Sequence, residues 1–208
     1  MRKVRCLKCW VIFVLLSVFT MGQLYASETL YLNRGNSYCR KGKYDWAISD
    51  YNKALELNPK FTEAYYNRGL AYYGKGEYDN AISDFGKALE ISPVFAEAYN
   101  NRGIAYNDKG EFDRAISDYE KAIEINPKFA KAYYNRGSVY KNKGAYDRAI
   151  SDYNKAIELD PKFADAYYNR GSAYKSKGEY DRAIANYDKA LDVNRPQRIK
   201  GAKNGGIH

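Results

Sequence analysis

Histidine, cysteine and tryptophan are scarce in this sequence of 208 residues, which has one His, three Cys and two Trp. The single His is the last residue, His208, so catalysis that depends on imidazole and most zinc chemistry are excluded from the body of the chain. A glycine-rich phosphate loop is also missing. We therefore expect no enzyme activity, no cofactor and no metal site.

An excess of basic residues is present only at the two ends of the chain. The net charge is +9, and eight of the 34 Lys and Arg residues lie in 1–26 and 195–208, which contain no acidic residue. Residues 27–194 therefore carry a net charge of only +1. Such a body does not offer the basic surface that nucleic acids require, and we expect no nucleic-acid partner.

The N-terminal segment has the pattern of a secretory signal peptide. A basic stretch over 1–8 precedes a largely apolar run over 9–21, which is shorter than the roughly 20 residues of a membrane-spanning helix. Cleavage is expected after Ala26, with Gly22 as a second position. The prediction is an exported protein, periplasmic or secreted, with 1–26 as its signal peptide. The alternative is an uncleaved membrane anchor formed by 9–22.

Cleavage of this segment would leave Cys39 as the only cysteine. A single thiol cannot form an intramolecular disulfide, so stability must come from packing. Cys39 is not expected to be a catalytic nucleophile, because the body has no His to activate it.

A period of 34 residues organises the rest of the chain. The triplet Asn-Arg-Gly recurs with this spacing, as does a proline, which occurs at Pro59, Pro93, Pro127 and Pro161. The period defines five units, 28–61, 62–95, 96–129, 130–163 and 164–197, within a repeat domain over 27–194. The remaining residues, 195–208, are predicted to be a basic disordered tail.

Each unit is predicted to contain two helices. In 96–129, apolar residues recur at helical spacing in two runs, and Gly110 lies between the runs where a left-handed residue would end the first helix. Asp113 follows at the start of the second helix, where we interpret it as a cap, together with Asp45 and Asp79. Helices of about 14 residues are marginal alone, so each unit must pack against its neighbours.

These residues resemble the tetratricopeptide repeat, a 34-residue helix-turn-helix unit. In the second unit the matching residues are Tyr65, Gly69, Tyr72, Ala81, Phe85, Ala88 and Pro93. Two departures recur, because Tyr replaces the first Trp of the family pattern and Arg replaces a Leu. The resemblance implies an all-α fold, a right-handed α-solenoid of five helix-turn-helix repeats. It also implies a concave groove, lined by the first helices, that holds an extended peptide.

The recurring arginine lies on the apolar stripe of each first helix, where a cation needs a partner. The second helices offer an aspartate in four units and Asn186 in the fifth. We predict that each aspartate pairs with the arginine of the following unit, since the last unit would then need none. Pairing inside one unit is the alternative, with Asn186 as a chance change. The predicted pairs are Asp50 with Arg68, Asp84 with Arg102, Asp118 with Arg136 and Asp152 with Arg170.

An asparagine ladder is the predicted peptide-binding site. A side-chain amide carries both donors and an acceptor, and it therefore matches the N–H and C=O groups of an extended backbone. The alternative is that these amides brace a neighbouring helix. The ladder consists of Asn33, Asn67, Asn101, Asn135 and Asn169, and Tyr66, Asn100, Tyr134 and Tyr168 lie beside it.

Charged residues near the ladder differ between the two halves of the repeat domain. Acidic Glu63 and Glu97 lie toward the first half, whereas Lys131, Lys141 and Lys175 lie toward the second. Asp165 departs from this trend. A ligand with basic character near one end and acidic character near the other would be complementary.

The predicted function is a non-catalytic scaffold or adaptor that binds a peptide or a partner protein. The alternative function is self-assembly in the cell envelope, because the last helix would expose an apolar face that could join copies end to end into a homo-oligomer. Contact with a membrane is expected only through the N-terminal segment or the basic tail.

Overall fold

The computed structural model describes residues 27–195, in which all regular secondary structure is α-helical. These residues form two compact bodies, 27–125 and 126–195. The first body contains α1 (27–40), α2 (Tyr44–Leu57), α3 (Thr62–Gly74), α4 (Tyr78–Ile91), α5 (Ala96–Asp108) and α6 (Phe112–Ile125). The second contains α7 (Ala130–Asn142), α8 (Tyr146–Leu159), α9 (Ala164–Ser176) and α10 (Tyr180–Asn194). Consecutive pairs, α1–α2 through α9–α10, are called hairpins 1 to 5 below.

A left-handed glycine ends the first helix of each hairpin, as the sequence predicts. Gly110 has φ of 78°, a conformation that costs an L side chain energy but not glycine. The N–H of Glu111 then reaches back to the carbonyl of Tyr106 at 2.8 Å, which is the long bond of a Schellman motif. The chain reverses within three residues, and α6 begins at Phe112.

Between hairpins the chain turns at an Asn-Pro or a related pair. Asn58 adopts an extended conformation after α2, as expected of a residue before proline. Its side chain accepts a hydrogen bond from the N–H of Lys60 at 3.0 Å, so it forms a local turn that ends the helix. Asn126 and Asp160 make the equivalent bond after α6 and α8.

The core alternates large rings with very small residues. Phe85 of α4 is fully buried, and its ring lies against the backbone of α3 at Gly69. A Cβ atom at Gly69 would be 2.8 Å from the ring, so only glycine allows this approach. Alanines such as Ala71 and Ala81, both 0% exposed, fill the remaining contacts between helices at the density that protein interiors require.

The structure confirms an all-α solenoid of tandem helix-turn-helix repeats, with two helices in each predicted unit. The predicted signal peptide over 1–26 lies outside the described residues, as does the basic tail from 196 onward. Within 27–195, no helix has the length and apolar character needed to cross a bilayer.

Candidate functional site

In hairpins 1 to 4 the arginine on the first helix pairs with the aspartate of its own hairpin, and the predicted pairing between units is wrong. Arg68 donates from Nε and Nη2 to both carboxylate oxygens of Asp84, each at 2.7 Å. The aspartates are buried, so the bidentate pair compensates a cation and an anion that are both largely removed from water. The same geometry joins Arg34 to Asp50, Arg102 to Asp118 and Arg136 to Asp152.

The direction of the second helix explains this result. Arg68 does contact the preceding hairpin, but through Nη1 to the Asn52 amide oxygen at 2.5 Å. Asp50 lies two residues before Asn52, and two residues correspond to a rotation of about 200° around a helix. Asp50 therefore faces its own hairpin, while Asn52 faces the next one.

The fifth hairpin has an amide where the others have a carboxylate. Arg170 Nε donates to Asn186 Oδ1 at 2.7 Å, and Nη1 donates to Asn154 at 2.6 Å. Burial lowers the pKa of Arg170, with only weak opposing effects from Tyr174 and Tyr167. In Arg68 burial acts in the same direction, but the hydrogen bond and charge of Asp84 outweigh it and raise the pKa.

The two recurrent departures from the family pattern contact each other. The guanidinium carbon of Arg68 lies 5.4 Å from the ring centroid of Tyr65, one turn earlier on α3. The same stacking occurs in the other four hairpins. A tyrosine face attracts a cation, so the Tyr that replaces Trp and the Arg that replaces Leu form a cation–π pair. Their constant spacing of three residues was the signal that sequence reasoning missed.

A second polar link joins successive hairpins, and it corrects the interpretation of Asp45 and Asp79 as caps. The N-cap positions of α2 and α4 are Lys43 and Glu77, and neither side chain makes a capping bond. Asp45 lies in the first turn of α2 and accepts from Lys75 Nζ of hairpin 2 at 2.7 Å. Asp79 pairs likewise with Lys109, and Asp147 with Lys177 at 2.6 Å.

Three of the five ladder asparagines brace the preceding hairpin, which was the alternative left open by the sequence. Asn101 Nδ2 donates to the Tyr66 hydroxyl at 2.7 Å, and in the second body Asn169 Nδ2 donates to Tyr134 at 2.8 Å. Asn67 donates to the Asn36 amide oxygen at 3.1 Å. Asn33 is exposed on α1 and Asn135 is half-buried on α7. The amides of Asn67, Asn101 and Asn169 are thus fixed in orientation by the first helix of the preceding hairpin.

The tyrosines that accept these bonds are themselves held by aromatic neighbours. The Tyr66 ring lies 4.7 Å from that of Phe95 and 5.8 Å from that of Phe85, measured between centroids. Burial and the nearby Glu97 carboxylate raise the pKa of Tyr66, while the bond from Asn101 opposes them. The phenol therefore keeps its proton at neutral pH and can donate it while accepting from Asn101.

Two residues predicted beside the ladder have different environments. Tyr168 is 59% exposed, as a ligand-contacting residue should be. Asn100, in contrast, is only 5% exposed, so its assignment to the ligand surface is wrong. Its amide donates to Asn101 Oδ1 at 3.3 Å.

A depression of about 310 Å³ lies beside the ladder in the first body. Its walls come from α1, α2 and α3, with Asn36 and Asn67 as the polar groups and Leu70 and the Tyr51 ring as apolar ones. Cys39 and Arg40 complete the lining. Burial raises the pKa of the Cys39 thiol, which keeps it protonated and unreactive at neutral pH.

In the second body a lysine meets the ladder. Lys141 Nζ donates to Asn169 Oδ1 at 2.6 Å and is half-buried. Burial lowers the pKa of Lys141, and among the described residues no carboxylate lies within ion-pair distance of it. The ladder in this body therefore includes a partly desolvated ammonium group, which lies between α7 and α9.

The described part of the chain contains no group of three or more His, Cys, Asp or Glu residues that could hold a metal ion. The polar groups described above are mainly amides, phenols and ion pairs. Such groups bind by hydrogen bonding and packing, and the class of protein they define is a helical-repeat binding protein.

Family models agree with the repeat. A TPR repeat model matches residues 35–76, 103–144 and 139–178. A second model, described as a tetratricopeptide repeat, matches 62–95 and 164–195. A third model with the same description matches 85–117. The chain belongs to the tetratricopeptide repeat family.

Solved structures support the same conclusion. A crystal structure of MamA has 36% sequence identity and a TM-score of 0.71, over 76% of this chain and 93% of that one. YrrB, described as a TPR protein with an unusual peptide-binding site, has 30% identity and a TM-score of 0.65, over 79% and 84%. A thermophilic TPR protein from Thermus thermophilus has 26% identity and a TM-score of 0.65, over 81% and 92%. A search of curated proteins found no match.

Tetratricopeptide repeat proteins are generally non-catalytic and bind peptide or protein partners. The fold and these relatives support a protein–protein interaction scaffold.

Proposed function

We propose that this scaffold binds an extended peptide against the first helices of its hairpins, with the ladder asparagines as the groups that hold the peptide backbone. The observation that carries the proposal is the bond from Asn101 to Tyr66. It uses one of the two N–H groups of the amide and leaves the other for a ligand. The bond also fixes the amide before binding, which reduces the entropy lost when a ligand is captured.

The depression beside Asn67 offers a place for a ligand side chain. Its combination of Leu70 and the Tyr51 ring with two amides suits a medium-sized side chain next to a backbone that hydrogen-bonds Asn67. The neutral amides do not read the sequence of a peptide, so selectivity would come from such depressions and from charged neighbours. YrrB, whose description names a peptide-binding site, is consistent with this use of the fold.

A peptide library tests the proposal. Peptides of random sequence displayed on phage are selected on the immobilised full chain, and one selected peptide is synthesised. Its affinity is measured by titration calorimetry for the wild-type protein, for the double variant Asn67→Ala and Asn101→Ala, and for the control Asn80→Ala. Asn80 is an exposed residue of α4 and bonds only to Glu77.

We expect the double variant to bind about 10- to 100-fold more weakly, since each lost hydrogen bond contributes roughly 1 kcal/mol. The control should bind like the wild type, and all three proteins should have the same helical circular dichroism. Equal affinity of the double variant would show that the ladder braces the hairpins without contacting ligand.

We also propose that the protein is exported, with 1–26 as a cleaved signal peptide, and the support is the charge and hydropathy pattern of that segment. N-terminal sequencing of the protein from its native host tests this. A mature chain that begins at Ser27 or Gln23 supports export with cleavage, whereas an intact N-terminus in the membrane fraction would support the anchor over 9–22.

A further inference from the structure

The end of the fifth hairpin exposes side chains whose equivalents in other hairpins are buried or half-buried. Ile184 is 58% exposed and Leu191 is 66% exposed, whereas their equivalents Ile150 and Leu89 are 8% and 6% exposed. Tyr180 is also exposed, at 63%. In hairpins 1 and 4 the equivalent residues pack against the first helix of the next hairpin, where Ile48 belongs to a cluster with Ala71 and Ile150 to a cluster with Ala173. We call the corresponding surface of α9 and α10 the C-terminal face.

The first hairpin has the complementary surface. Leu30 is 66% exposed on α1, and its equivalents Ala64 and Ala166 are completely buried against the preceding hairpin. We call this surface, with Asn33, Arg34 and Lys41, the N-terminal face. One difference from the interior is the larger side chain of Leu30, which adds apolar area where the interior has alanine.

Three polar links recur where one hairpin meets the next. A lysine pairs with an aspartate, as in Lys75 and Asp45 at 2.7 Å. An arginine Nη1 donates to a residue of the preceding second helix, as in Arg68 and Asn52. An asparagine donates to a tyrosine of the preceding first helix, as Asn101 does to Tyr66.

For each of these three links, one partner lies on the N-terminal face and the other lies on the C-terminal face. On the N-terminal face, Lys41 and Arg34 are the equivalents of Lys75 and Arg68, one period earlier in the sequence. Asn33 is the equivalent of Asn101, two periods earlier. The C-terminal face has the matching partners at the equivalent positions of hairpin 5, and these are Asp181, Asp188 and Tyr168.

None of these end-face groups has such a partner within the described residues. Lys41 and Asp181 form no ion pair there, and the Nη1 atom of Arg34 has no hydrogen bond, although its Nε and Nη2 bind Asp50. Asp188 carries a full charge where Asn52 and Asn154 are neutral, so its bond with an arginine would be charge-assisted and stronger.

We propose that the C-terminal face binds the N-terminal face of a second copy of this chain, in the register that joins one hairpin to the next inside the chain. Asp181 pairs with Lys41, Asp188 with Arg34, and Tyr168 accepts from Asn33 of the other copy. Ile184 and Leu191 pack on α1 of that copy beside Leu30. The contact is head-to-tail and uses different surfaces on the two copies, so it continues from copy to copy unless a ring closes.

The charge pattern favours a second copy over the chain's own C-terminal residues as the occupant. Residues 196–208 contain three basic and no acidic residues, with Ile199, Ala202 and Ile207 as their only aliphatic side chains apart from Pro196. They could neutralise the aspartates but offer little apolar area to cover Ile184 and Leu191. If two copies met through their C-terminal faces, Asp181 and Asp188 of one copy would lie close to the same aspartates of the other, and these like charges would repel.

Sedimentation velocity of the full chain tests the proposal, from low micromolar to about 100 μM protein. The average sedimentation coefficient of the wild type should rise with concentration. Ile184→Glu should weaken this association by at least about tenfold. Val94→Glu is the matched control, because Val94 is 75% exposed in a turn outside both faces, and it should associate like the wild type.

A charge exchange identifies the pairing of faces. Lys41→Asp and Asp181→Lys should each weaken association, and the double variant should recover it because the opposite charges are restored across the contact. A wild type that stays monomeric at every concentration would overturn the proposal. So would association that depends on Asp181 but not on Lys41, which would assign the C-terminal face to another occupant, or an equal loss in Val94→Glu.

Discussion

Asn101 of α5 donates a hydrogen bond to the hydroxyl of Tyr66 of α3, and Asn169 and Tyr134 repeat this bond in the second body. Donor and acceptor are 35 residues apart, so one bond joins the first helices of two successive hairpins. The pair links packing to the proposed binding function, because the phenol that packs on Phe95 also fixes the amide that we propose binds the peptide.

Tyr66→Phe should separate these two roles. The ring keeps its contacts with Phe85 and Phe95, but Asn101 loses its acceptor and is held less firmly, by the longer bond from Asn100 alone. We expect the free energy of unfolding to fall by about 1 kcal/mol and the affinity for a library-selected peptide to fall as well, measured by calorimetry. Tyr78→Phe on α4 is the control. An unchanged affinity in Tyr66→Phe would mean that the orientation of the amide does not matter for binding.

Asn186→Asp should stabilise the fifth hairpin. Arg170 has an amide partner where Arg68, Arg102 and Arg136 have a carboxylate, and a charge-assisted bidentate bond is stronger than a neutral one. We expect a gain of about 1 kcal/mol, seen as a higher melting temperature. The gain should disappear when Arg170→Met is added, because the new carboxylate would then be buried without a cation. A lower melting temperature in the single variant contradicts this account of the pair.

Two helical glycines should respond oppositely to alanine. A Cβ at Gly69 would lie 2.8 Å from the Phe85 ring, whereas at Gly86 the nearest atom is Arg102 Nη1 at 3.8 Å. Gly69→Ala should therefore cost about 1–3 kcal/mol through overpacking, and Gly86→Ala should gain about 0.5–1 kcal/mol from the lower backbone entropy of the unfolded chain. Urea denaturation measures both. Similar effects of the two changes would contradict the close approach of α3 and α4.

The positions of the helices could be predicted from the sequence because local chemistry determines them. Gly110 requires a left-handed turn, Pro127 cannot continue a helix, and the apolar stripe between them has a helical period. These signals lie within one hairpin and recur along the chain. The predicted turn at Gly110 and the end of α6 before Asn126 therefore agree with the structure.

The partners of the charged side chains could not be predicted in the same way. The period places an identical aspartate before and after each of Arg68, Arg102 and Arg136, so sequence spacing alone cannot choose between Asp50 and Asp84 for Arg68. The choice depends on which side of the second helix faces the next hairpin, and a difference of two residues, from Asp50 to Asn52, reverses it. Asn100 shows the same limit, because the depth of a short amide depends on its neighbours.

Lys141 should make stability depend on alkaline pH. Burial lowers its pKa in the folded protein below the ordinary value of 10.5, so the unfolded chain binds the proton more tightly. The cost of burying this cation is therefore fully present below the lowered pKa and disappears as pH rises from there toward about 10.5. Lys141→Met removes the cation, and the stability of this variant relative to wild type should be greatest near neutral pH.

Urea denaturation of both proteins between about pH 7 and pH 10 measures this difference. Other titrating groups are shared by the two proteins and cancel in the comparison. The same substitution at Lys175, an exposed lysine at the equivalent position of hairpin 5, is the matched control for the loss of a lysine side chain. If the advantage of Lys141→Met instead grows with pH, the fold must stabilise the ammonium group, and burial of Lys141 between α7 and α9 cannot be the dominant influence on its charge.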